Sequence, residues 1–185
     1  GKAYLFLVNP RTGELLEEPI ATTEGSTTTP LDMAHMALFI PSTRDYTVES
    51  VYAGDLQGNV WRFDLRGTGT FAAPTKIARL TDSSGNAQPV TTVPRVAVDA
   101  ASSKRYVAVA TGRLLADSDI SDGQRQTIYV IADGTATDGS FFTAATLPGS
   151  ASFPITRSQL NNNANALTGI GSTPASAMGW YYDLD

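Results

Sequence analysis

The sequence predicts an all-β fold, a partial β-propeller of two to three antiparallel blades with long loops. Three observations lead to it. Residues 51–65, VYAGDLQGNVWRFDL, place alternating apolar runs on either side of a tight polar turn, the strongest short-range hairpin signal a chain can carry. Turn-forming residues punctuate the whole chain of 185 residues, with 16 Gly, 10 Pro and many Ser and Thr. Phrases built as apolar run, Asp or Asn turn, apolar run recur as AYLFLVNPRTGELL, VYAGDLQGNVWRFDL and VAVDAASSKRYVAVATG. Repeating units of about forty residues, each of about four short antiparallel strands, mark propeller blades. About ten strands make two to three blades, too few to close a ring of four to eight. Residues 1–185 therefore read as a single propeller portion, cut out of something longer at both ends.

Taken in order, residues 3–9 read as a strand, followed by a reversing turn at 9–13 and a short strand at 14–16. Pro10 at the second turn position and Gly13 at its end suit that reversal. A polar loop over 21–30 precedes an apolar stretch at 33–40 and then the hairpin. In its first arm Val51 and Ala53 share one face and Tyr52 takes the other; in its second arm Trp61, Phe63 and Leu65 lie opposite Val60, Arg62 and Asp64. The aromatic face reads as sheet core and the Arg62/Asp64 face as exposed. Asp55 reads as a turn residue whose carboxylate accepts backbone N–H groups. Strands are expected at 75–80, at 95–99 paired across 100–104 with 105–111, at 126–132 and at 180–184. Residues 135–178 read as a loop-rich insertion with one short helix near 158–167.

Composition excludes several functions. Hydrophobic residues make up 42% and charged residues 17%, which suits a packed domain. A net charge of −5 with a pI near 4.8 argues against binding nucleic acid or anionic lipid, both of which need basic surface. The absence of cysteine removes disulfides, thiolate nucleophiles and Cys-ligated metal sites. No apolar run approaches the length of a spanning helix and no secretory leader is visible, so no membrane insertion is expected. No nucleophile elbow, phosphate loop or dinucleotide fingerprint is present. His35, the single histidine, sits in an apolar stretch and reads as packed or hydrogen-bonded rather than as a ligand or base.

Two acidic loops are candidate metal sites. Asp117, Asp119 and Asp122 precede Gly123 with oxygens spaced as at the start of a calcium loop, but position twelve is Ile128 where a bidentate Glu is needed. With that ligand missing, an exposed, acid-solubilised loop is the favoured reading, although on ligand count this loop is the stronger of the two metal candidates. Asp45 and Glu49 form the second candidate, just before the hairpin.

The segment YAGDLQGNVWRFDL at residues 52–65 resembles the hallmark of the C-terminal propeller of PilY-type proteins, the type IV pilus biogenesis factors and tip-associated adhesins. FLVNPRTGEL at 6–15 and VAVATGRL at 107–114 are similar to two further phrases of that family, with Asn9 and Ala110 as departures. The phrase beginning at Gln126 and ending at Asp133, with Gly179-Trp180-Tyr181 later, is similar to two more. The resemblance implies a non-enzymatic protein at the cell surface or pilus tip, exported through periplasm and outer membrane. It would promote pilus assembly and attachment, with minor pilins and a host or abiotic surface as partners. It also implies calcium as the one cofactor, in the loop holding Asp45 and Glu49. Here that loop has Pro41 and Thr43 at positions often acidic and Arg44 beside them, and calcium wants six to eight oxygens, so a solvated turn competes. Two rival functions remain: a propeller quinoprotein dehydrogenase using pyrroloquinoline quinone, and a generic propeller scaffold for protein partners. The quinoprotein needs a full ring and a tryptophan docking motif in every blade, whereas this chain has two tryptophans.

Overall fold

The computed structural model describes residues 1–42, 44–99, 101–135, 141–163 and 178–184. These residues form an all-β structure with three sheets. The first pairs β1 (Tyr4–Leu5) with β2 (Ile20–Ala21). The second is an antiparallel meander of β3 (Met36–Phe39), β4 (Ser50–Gly54), β5 (Asn59–Asp64) and β6 (Thr75–Arg79). The third runs in spatial order β10-β11-β9-β8-β7, from β7 (Arg95–Asp99), β8 (Lys104–Ala110), β9 (Thr127–Thr135), β10 (Asn161–Asn162) and β11 (Gly179–Asp183). Its β7, β8, β9 and β11 are antiparallel neighbours, while β10 joins the edge in parallel.

Two apolar layers fix how the sheets stack. One holds Tyr52, Val60 and Ile77 of the second sheet together with Val107, Val109, Tyr129 and Ile131 of the third. The other holds Val51, Trp61 and Phe63 from the opposite face of the second sheet, with Leu5, Ile20 and Leu31. The second sheet is thus covered on both faces, so β4 is buried at every residue and β5 at all but Asp64. Strand alternation sends odd and even residues to opposite faces, and here both faces meet protein. Burying each large apolar side chain contributes roughly 1.5–3 kcal/mol, and Trp61, Phe63, Ile77 and Ile131 are at most 1% exposed.

This corrects the expectation for the Arg62 face. Arg62 is 5% exposed and points into the layer between the two meanders, whereas Asp64, at the strand end, stays partly exposed and pairs with Arg66. Alternation correctly separated the two faces, but nothing local revealed that a second sheet covers the polar one. The hairpin expected at 51–65 is present, with Val51 opposite Phe63 and Ala53 opposite Trp61.

Three further differences follow from competition for backbone partners. The strand expected over 3–9 is split: Val8 bridges Leu15 across the turn, while β1 pairs instead with β2, which starts at the last residue before the expected polar loop. The helix expected near 158–167 is replaced, over its described part, by a 3-10 turn at Arg157–Gln159 and by β10; residues 164–167 lie outside the described ones. Residues 153–156 add to the edge of β6, where Ile155 N–H donates to the Ile77 carbonyl at 2.8 Å and Arg79 N–H donates to the Ile155 carbonyl at 2.9 Å.

Candidate functional site

The recurring Asp/Asn phrases become a recurring turn. At the hairpin, Asp55 Oδ1 accepts the backbone N–H groups of Gln57 and Asn59, both at 2.9 Å. Asp82 does the same with Ser84 at 2.8 Å and Asn86 at 2.9 Å. Both turns read Asp-x-x-Gly-Asn, and in both the Asn side chain donates to the Asp carboxylate. Gly58 and Gly85 hold positive φ, 77° and 86°, which a residue with a Cβ resists. Asn9 and Asp99 head looser versions, each accepting the N–H two residues on. The second Asp-x-x-Gly-Asn, at 82–86, lay unread in the sequence although its pattern is the same.

At Asp55 the turn reaches further. Trp61 Nε1 donates to Asp55 Oδ2 at 2.7 Å, so one buried carboxylate satisfies the turn and fixes the largest core side chain. Burial pushes the Asp55 carboxyl up, and the bonds from Trp61, Asn59 and Gln57 pull it down. The surrounding backbone is close-fitting: a Cβ on Gly58 would lie 2.6 Å from the Leu80 carbonyl oxygen, and one on Gly54 2.3 Å from Val90 Cγ1.

Between the two meanders lies a polar cluster that the sequence did not reveal. Asp133, from β9, is fully buried; its carboxylate pairs with Arg62 and accepts the Tyr52 hydroxyl at 2.8 Å. Arg105, from β8, is also fully buried and donates through Nε and a terminal nitrogen to the Asp133 carbonyl at 3.1 and 2.6 Å. Arg62 further donates to the Phe142 carbonyl at 3.2 Å. The Phe141 ring sits against the guanidiniums of Arg62, Arg105 and Arg66, at 4.4, 4.2 and 3.9 Å, a cation–π arrangement. Burial, then the Asp133 charge, pushes the Tyr52 hydroxyl pKa up; burial lowers that of Arg105 and raises that of Asp133. The cluster ties β4 and β5 of the second sheet to β8 and β9 of the third, a sheet-to-sheet lock.

The candidate metal residues lie in two separate loops. Asp45 is exposed and accepts the Thr47 N–H at 3.1 Å. Glu49 closes the β3–β4 connection through its backbone, donating to Phe39 and accepting from Leu65. In the second loop Asp119 turns inward: Oδ1 meets Arg113 Nε at 2.9 Å, and Oδ2 accepts the Leu115 and Ala116 N–H groups at 2.8 and 3.0 Å. Those bonds, led by the Leu115 N–H, hold its carboxyl below the usual range. Asp117 and Asp122 point outward from the 3-10 turn at Asp117–Ser121. Among the described residues no three His, Asp or Glu side chains gather to hold a cation, and a carboxylate filled by N–H donors and a guanidinium does not fit calcium. His35 is exposed, in a groove, rather than packed.

Stacked antiparallel meanders tied by Asp-headed turns and a buried ionic lock define an all-β, sheet-repeat class of domain. No family model matches the chain. It is 28% identical over 139 residues to a type IV pilus biogenesis factor PilY1 homolog of Xylella fastidiosa, covering 74% of this chain and 11% of that protein. It is 26% identical to type IV pilus biogenesis factor PilY1 of Pseudomonas aeruginosa, with 98% of this chain and 18% of that protein covered. The solved C-terminal domain of Pseudomonas aeruginosa PilY1 has the same fold, with a TM-score of 0.71 at 22% identity, over 100% of this chain and 45% of that domain. The chain is thus similar in sequence to part of these PilY1 proteins and shares the fold of the solved PilY1 C-terminal domain. It spans less than a fifth of the length of the curated relatives.

Proposed function

We propose that the two meanders are neighbouring blades of a β-propeller, and that this propeller serves a pilus-associated, non-enzymatic protein in type IV pilus biogenesis and surface attachment. One observation carries the reading. A Pro- and Gly-punctuated chain folds into a four-stranded antiparallel meander facing a five-stranded sheet with its own four-strand antiparallel run, and this fold matches a PilY1 C-terminal domain along the whole chain. The repeat of one four-strand unit against the next is how propellers are built. The Tyr52–Arg62–Arg105–Asp133 cluster accords with a structural role between the sheets, since its carboxylate pairs with Arg62 and accepts the Tyr52 hydroxyl. Minor pilins and a host or abiotic surface are the proposed partners, and the cell surface or pilus tip the proposed location.

The test is genetic and uses the full-length protein in the bacterium that encodes it. Deleting the gene should reduce surface pili, counted by electron microscopy, and attachment to an abiotic surface; supplying the full-length gene should restore both. Unchanged pili and attachment in the deletion strain would overturn the reading. The quinoprotein alternative is tested separately by dye-linked alcohol oxidation with added pyrroloquinoline quinone, for which no turnover is expected. Calcium is tested by thermal unfolding: with no three acidic side chains gathered among the described residues, millimolar calcium should leave the melting temperature unchanged. A rise of several degrees would restore the calcium loop.

A further inference from the structure

One end of the molecule carries a feature that the pilus reading does not use. A mostly apolar groove of about 460 Å³ opens between residues 32–35 and the loop after β8, lined by Met33, His35, Leu56 and Leu115 with Asp32 and Thr91. Both walls are held by hydrogen bonds. Ala34 N–H donates to the Gly54 carbonyl and Leu56 N–H to the Leu31 carbonyl, both at 2.9 Å. On the other side Thr91 Oγ1 donates to the Gly112 carbonyl at 2.8 Å, and Asp119 fixes Arg113, Leu115 and Ala116. That internal carboxylate shapes a loop which then presents Leu114, Leu115 and Ile120 outward, 73%, 67% and 76% exposed. A buried charged residue spent on holding three large apolar side chains in water marks a contact surface.

Charge identifies what would cover it. Asp32 lies in the groove, and Asp117 and Asp122 are exposed on the apolar loop. Arg113, on the same loop, is paired with Asp119, so the exposed carboxylates of Asp32, Asp117 and Asp122 give the groove and loop an acidic character. We propose that this groove docks a segment of another protein that carries leucine-type side chains flanked by lysine or arginine. The apolar side chains would fill the groove and cover Leu114, Leu115 and Ile120, while the basic ones would meet Asp32, Asp117 and Asp122. Burial supplies affinity in such a contact, and the rim charges supply partner choice and association rate.

The inference stands apart from the pilus reading, because binding is measured on the chain itself. The probe is a short fluorescein-labelled peptide of leucine and lysine, with a leucine–glutamate peptide as its counterpart, followed by fluorescence anisotropy. The leucine–lysine peptide should bind, and the leucine–glutamate peptide should not. Leu115→Ser should weaken binding about tenfold, and so should the combined Asp32→Asn, Asp117→Asn and Asp122→Asn variant. Leu16→Ser, which removes an apolar side chain 59% exposed on the β1 side, should leave binding unchanged. If Leu115→Ser lowers the melting temperature, Ile120→Ser replaces it. Absence of peptide binding, equal binding by the groove variants and the parent, or equal binding of the acidic peptide would each overturn the proposal.

Discussion

Asp55 shows how much one side chain can organise. Its two oxygens accept from four N–H groups, those of Gln57, the Asn59 backbone, the Asn59 amide and Trp61. Removing an acceptor leaves buried donors unpaired, at about 1–3 kcal/mol each before relaxation. Asp55→Ala is therefore expected to cost about 3 kcal/mol in urea unfolding, and Asp55→Asn less, because Asn keeps one acceptor oxygen. An Asp55→Ala variant as stable as the parent would contradict this role. Asp82 offers a pH test of the same turn. Partial burial pushes its carboxyl up, but the Asn86 and Gln124 amides and the Asn86 and Ser84 N–H groups outweigh it and bring it down to about 2. A depressed carboxyl stabilises the fold above the unfolded value, about 3.9, and that contribution fades as pH falls through the folded value. The melting-temperature gap between parent and Asp82→Asn should thus be full at pH 6 and shrink toward pH 2. A constant gap would mean that the charge plays no part. The turn role of Asp55 was legible in the sequence; its bond to Trp61 was not, since the pattern sets which face a side chain takes but not what a turn carboxylate reaches.

Among the elements, the strands were the most legible, because alternation within β4, β5 and β8 states their period directly. Pairing between elements was less so. β2 and β10 are two-residue strands whose sequences, Ile20-Ala21 and Asn161-Asn162, carry no period of their own; tertiary partners decide them. The burial of Arg62 was likewise invisible, as a polar residue on an alternating strand normally faces water. Close approach at Gly54 gives an element-scale test. An added Cβ would meet the Val90 side chain, which packs the loop before β7 against β4. Gly54→Ala should lower stability by roughly 1–3 kcal/mol through overpacking, and Val90→Ala in the same chain should restore part of it. Additive losses in the double variant would show that the two sites are not in contact.

At the scale of the whole molecule, a −5 chain with no helix among its described residues long and apolar enough to cross a membrane is organised by sheet-on-sheet burial with one ionic lock inside. The lock is costly to break from one side: removing a single member of a buried ion pair typically costs about 3–5 kcal/mol, whereas replacing the pair by apolar side chains is often neutral. The all-β class and the PilY-type relationship were legible, the first from turn chemistry and period, the second from residues 52–65. The lock was not, because it joins residues 71 and 81 positions apart, and a single sequence does not report such contacts. Face-to-face packing of the two meanders underlies both the propeller reading and the grooved end that it presents. The most direct test is a double-mutant cycle across the sheets, Arg62→Met with Asp133→Leu, by urea unfolding. A coupling above about 1 kcal/mol is expected, with the double variant more stable than the sum of the single losses implies. Losses that add within about 0.3–0.5 kcal/mol would place the two side chains, and with them the two sheets, apart.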